Sequence, residues 1–140
     1  MIRKEIPMEE PKMRYLEMIQ EVINRMANNS FALKGWTVTL VAGIFTLSGD
    51  ALATNFWFLF IPIIIFWGLD AFYLSRERAY ISLYKHVTGL SQNQIDFNMD
   101  TSVFSCIEKN KLWNCLASPT ELFFYLPLFA LSGVIIFIIT

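Results

Sequence analysis

The sequence predicts an all-α membrane protein, built as three transmembrane helices with helical extensions on the inner side. Three observations carry this: too few charges for a soluble domain, three long charge-free segments, and Lys and Arg confined to two regions. The chain has 140 residues, of which 55% are hydrophobic and only 16% charged, with a mean hydropathy of +0.46. A soluble domain carries about 25% charged residues. The difference is made up by Phe, Ile, Leu and Trp.

A helix needs about 20 apolar residues to cross the hydrocarbon core, with about 17 as a working minimum. The first candidate span runs from Gly35 to Gly49, extended inward by Phe31 to Leu33, with Lys34 able to snorkel. The second runs from Ala51 to Leu69 and the third from Leu122 to Thr140, both free of charge. One such segment alone would suit a buried soluble helix. A chain of this length cannot wrap three of them in a soluble shell.

Orientation follows from basic residues in short loops. Arg3, Lys4, Lys12, Arg14, Arg25 and Lys34 precede or begin span one, whereas Ser48-Gly49-Asp50 after it holds no Lys or Arg. Arg76, Arg78, Lys85, Lys109 and Lys111 lie between spans two and three. Both basic regions are expected in the cytoplasm, which puts the N-terminus inside a bacterial inner membrane and the C-terminus outside. The mixed charges of the first 25 residues do not resemble a secretory signal. The expected organisation is a cytoplasmic helix over 1–33, a transmembrane hairpin over 34–74, a cytoplasmic extension and loop over 75–118, and a third span over 119–140.

Each element has its own signals. Leu16, Ile19, Ile23, Met26, Ser30 and Leu33 alternate at three and four residues, a seam leading straight into span one. Pro7 and Pro11 place its start near Lys12, giving one helix from about Lys12 to Leu47. Asp50 and Asn55 are expected to cap the outer turn. Span two should continue inward past Tyr80 and Tyr84 and stop at Gly89. Pro62 and Pro127 should kink spans two and three. The two inner extensions can pack within one chain or between chains. Phe104 to Leu116 reads either as a short surface helix with Trp113 at headgroup depth or as a cap on those extensions. Ser118-Pro119-Thr120-Glu121 reads as N-cap, first-turn proline and capping-box glutamate.

Asp70 stands out, an acid among aromatics at the inner end of span two. A carboxylate near membrane depth needs a partner. In an antiparallel hairpin Lys34 reaches similar depth, so a Lys34–Asp70 ion pair is expected, with the Trp36 indole as the other donor in reach. The pair can hold the hairpin, or Asp70 can ring an inner pore mouth in an oligomer. Arg76, Glu77 and Arg78 follow as an inner charge cluster. Gly35, Thr39 and Gly43, with Thr46 beyond, form a small and polar stripe that permits close helix approach or lines a pore. The plain alternative is hydroxyls bonded to their own helix.

The motifs of hydrolases, zinc proteases, P-loop enzymes and dinucleotide-binding folds are missing, so neither an enzyme nor a cofactor is expected. Cys106 and Cys115 match neither a CxxC nor a zinc-ligand spacing, and His86 does not complete one. They are expected as reduced thiols. A net charge of -1 gives no reason to expect a nucleic-acid partner.

Lys34-Gly35-Trp36-Thr37-Val38-Thr39-Leu40, and Phe66-Trp67-Gly68-Leu69-Asp70-Ala71-Phe72-Tyr73-Leu74 with Glu77-Arg78, resemble a pattern in small bacterial multi-pass membrane proteins. The resemblance covers roughly residues 12–100. It looks similar to membrane components of anti-phage loci, which implies a membrane-disrupting effector and no catalytic residues. The expected function is therefore a self-associating inner-membrane protein acting as a regulated pore or membrane-perturbing effector. The alternative is a non-conducting anchor that holds a soluble partner at the cytoplasmic face.

Overall fold

A computed structural model describes residues 10–49, 51 and 56–139. The chain is all-α, and three of its helices are long and apolar enough to cross a membrane. The expected arm with Arg3, Lys4 and Pro7, the caps at Asp50 and Asn55, and Thr140 lie outside the described residues.

Helix α1 spans Glu10–Ser48 and α2 spans Trp57–Gly89. At 1.5 Å per residue, α1 is about 58 Å long, well beyond the hydrocarbon core. Pro11 falls in its first turn, where a missing N–H costs no intrahelical bond. Gly49 ends it with φ +46, the left-handed conformation that glycine adopts without strain. The two helices run antiparallel in one register. Lys12 lies beside Thr88 and Leu90, and Ser30 and Lys34 lie beside Asp70. Both helices run unbroken through residues 33/34 and 74/75, so those boundaries mark a change of surroundings and not of secondary structure.

The inner half of the hairpin has a true core. Tyr15, Ile19 and Ile23 of α1 pack with Leu83 and Val87 of α2, and Ile95, Met99 and Phe104 close over them. The extensions therefore pack within one chain. The seam is shifted by one residue at its start: Tyr15 is buried and Leu16 only partly so. Lys12 Nζ donates to the carbonyls of Thr88 (3.3 Å) and Leu90 (2.7 Å), a cation at the negative end of α2.

Residues 91–118 fold as a cap made of short pieces. After a 3-10 turn at Gln92–Gln94 come α3 (Ser102–Ser105), a second 3-10 turn at Glu108–Asn110 and α4 (Leu112–Leu116). Buried Asn110 anchors it: Nδ2 donates to Ser82 Oγ (3.2 Å) and to the Phe104 carbonyl (2.8 Å), while its own carbonyl accepts from Ser75. Arg78 donates to the Lys109 carbonyl at 2.9 Å. The cap reading thus holds over a continuous surface helix, although Trp113 stays 79% exposed.

Helix α5 spans Pro119–Ile139. It lies against α2 through Phe60–Phe129 (4.6 Å between rings) and the stacked pair Trp67–Tyr125 (5.9 Å). Pro62 and Pro127 sit inside α2 and α5 without ending either helix. Further out, α1 and α5 diverge around an apolar cleft of about 270 Å³ lined by Val38, Ala42, Phe45, Leu128, Leu131 and Ile135.

Candidate functional site: a buried charge cluster joining three spans

Ser30, Lys34 and Thr37 fall on one face of α1, at successive steps of four and three residues. Asp70 faces them from α2. Glu121 and Tyr125, four residues apart, face them from α5. Asp70 and Glu121 are each 0% exposed. At 1.5 Å per residue, Lys34 lies about 21 Å along the axis from Ser48, and Asp70 about 20 Å from Trp57. That is the inner end of the apolar stretch of both helices.

Lys34 Nζ donates to Asp70 Oδ2, to Glu121 Oε1 at 3.1 Å and to Ser30 Oγ at 3.2 Å. All three ammonium protons are placed. Asp70 also accepts from Ser30 Oγ and, at 3.0 Å, from the Tyr125 hydroxyl. The Phe124 and Tyr125 rings lie 5.8 and 5.9 Å from the ammonium, at the outer limit of cation–π range. Trp67 stacks on Tyr125 and donates its indole N–H to the Leu116 carbonyl at 3.3 Å. One partly buried lysine thus ties α1 to both other long helices.

Two expectations are corrected here. Trp36 is 62% exposed and lines a shallow groove with Asn29, Leu33 and Tyr73, and Asp70 is bonded by Lys34, Ser30 and Tyr125 instead. Glu121 does not form a capping box. Leu122 N–H still bonds the Ser118 carbonyl, so the helix starts where expected, but Ser118 Oγ has no partner and Glu121 turns inward to Lys34. Pairing with a buried ammonium outweighs capping one backbone N–H.

The other singled-out residues lie elsewhere. Thr39 Oγ1 donates to the Gly35 carbonyl (2.9 Å) and Thr46 Oγ1 to the Ala42 carbonyl (2.8 Å), each back onto its own helix. Gly35 and Thr39 are exposed, and nothing lies within 4 Å of a Cβ built at Gly35 or Gly43. The stripe does not pack on span two. Its polar neighbour Thr37 does face inward, fully buried, with its hydroxyl on the Leu33 carbonyl at 2.7 Å. Arg76 is exposed beside the Phe72 ring. Glu77 sits within electrostatic range of Lys34, Asp70 and Arg78. Arg78 also approaches buried Cys115 Sγ at 3.6 Å, and burial pushes that thiol above its ordinary value. Cys106 and Cys115 are both free.

Sequence reasoning missed Glu121, Tyr125 and Thr37. The legible signal was Glu121 and Tyr125 spaced to share a helix face, but only the third helix's rotation shows that the face meets Asp70. Among the described residues no group of His, Cys, Asp and Glu has a metal-holding arrangement. The cluster brings one ammonium, two carboxyl groups and two hydroxyls together. Its chemistry is to tie helices and to hold protons. No family model, curated protein or solved structure matches this chain.

Proposed function

We propose that this is a bacterial inner-membrane protein that self-associates through the membrane half of α1 and acts as a regulated pore or membrane-perturbing effector. The observation that supports it is the stripe of Gly35, Thr39 and Gly43, in which Gly35 and Thr39 are exposed and both glycines have open space beside them among the described residues. Close helix approach in lipid depends on such residues. With both glycines left open by the other described residues, a second copy is the natural complement. Asp70 plays a different part from a pore-mouth ring. It is sealed within one chain by Lys34, Ser30 and Tyr125, so the conducting path falls on α1 and the charge cluster fixes α1 in place. The resemblance to membrane components of anti-phage loci extends the reading to phage defence. The basic inner segments support a cytoplasmic cap and N-terminus.

The test is induced expression with a dye that reports membrane potential. Depolarisation that is lost on Gly43→Leu supports a pore. A monomer by detergent-corrected mass removes it, because a lone three-helix unit leaves no room for a water path.

One observation favours the anchor reading. Beside α2 the cap leaves a cavity of about 340 Å³ lined by Leu83, His86, Ile95, Asp96, Asp100 and Val103, with Phe97 and Val103 exposed at its edge. No depolarisation, together with a soluble protein retained through Val103 and lost on Val103→Asp, supports the anchor.

A further inference from the structure

The buried cluster does not balance in charge. Lys34 supplies one positive charge, and Asp70 and Glu121 supply two negative ones when ionised. The two carboxylate side chains are 0% and 1% exposed. A net buried charge at the edge of hydrocarbon is costly, and a protein relieves such a charge by neutralising a group.

The hydrogen bonds show which group. Asp70 accepts from three donors: Ser30 Oγ, Lys34 Nζ and the Tyr125 hydroxyl. That is the environment of an ionised carboxylate. Among the described residues Glu121 receives a single donor, Lys34, on Oε1, its buried Oε2 has no donor, and its carboxyl interacts with that of Asp70. A carboxylate oxygen without a donor, beside a second carboxylate that shares its only cation, is the place for a proton.

We propose that the cluster is a proton-binding site, in which Glu121 Oε2 carries one exchangeable proton while Asp70 and Lys34 stay charged. The groups facing Glu121 from each packed element are few. Helix α1 brings Lys34, α2 brings Asp70 with Glu77 and Arg78 beyond it, α4 brings Cys115, and α5 itself brings Tyr125. Among the described residues Lys34 is the one cation bonded to Glu121, and it is already shared with Asp70. The proton makes the three-helix tie neutral. Its loss would leave two carboxylates sharing one ammonium, one net negative charge between α2 and α5, and weaken the seat of the third span. This holds whether or not the protein conducts.

The test is infrared spectroscopy of the full chain in bilayers at neutral pH, with potassium as the only metal cation, reading the carbonyl stretch of a protonated carboxylic acid. The expected result is an acid band that shifts in deuterated water and disappears in Glu121→Gln, a variant with the shape of the protonated acid. Asp70→Asn should abolish it as well, because Lys34 and Glu121 then balance one to one. A wild-type spectrum without the band overturns the proposal, including a case in which a metal cation fills the site instead. A band unchanged in Glu121→Gln overturns it too.

Discussion

The two halves of the hairpin are held by opposite means. In the inner half, Tyr15, Ile19 and Ile23 meet Leu83 and Val87 in an apolar core, while polar groups face outward. In the outer half, Val38, Leu40, Ile61, Ile64, Ile65 and Leu69 are exposed, and apolar burial narrows to Leu59 and Ile63 of α2, while the residue α1 buries is Thr37. Water drives apolar side chains together in the first region. Lipid does not, being as apolar as leucine, so helix facing there depends on small and polar residues. The same helix pair thus changes its organising force along its length, and the charge cluster sits where the change occurs.

Four substitutions probe that contrast. Lys34→Met should have the largest effect, about 3–5 kcal/mol, because it leaves buried carboxylates without their cation. It should lower yield and melting temperature in detergent. Ile19→Ala in the inner core should cost about 2–5 kcal/mol as a large-to-small change at a filled site. Lys12→Met removes the cation from the end of α2, and about 1 kcal/mol is expected, visible as faster amide exchange near Val87 to Leu90. Ile65→Ala, which removes the same kind of side chain from the lipid-facing side of α2, should stay within about 0.5 kcal/mol. An Ile65 effect equal to that of Ile19 would mean that the outer half is packed by apolar contacts after all.

The same contrast explains what the sequence disclosed. The inner core was legible because a three-four seam against water has a polar reverse face: Ile19 and Ile23 could be placed, and the stop at Gly89 followed from the glycine. Tyr15 was missed because its hydroxyl, bonded to the Asn98 carbonyl, makes it read as polar. In lipid the apolar pattern is nearly uniform around each helix, so the rotation of α5, and with it the inward face of Glu121 and Tyr125, had no periodic signal. Lys34 and Asp70 could be read because charge in an apolar stretch is rare and demands a partner. Glu121 was masked by a local rule, since a glutamate three residues after Ser118 reads as a cap.

One partly buried lysine and two buried carboxyl groups tie the three spans. The direct measurement is thermal unfolding in detergent, followed by circular dichroism, of Lys34→Met beside the triple variant that adds Asp70→Asn and Glu121→Gln. A charge tie predicts a large drop in melting temperature for the single variant and recovery of most of it in the triple, because neutralising the whole cluster leaves no orphaned charge. A single variant that melts with the wild type would contradict it.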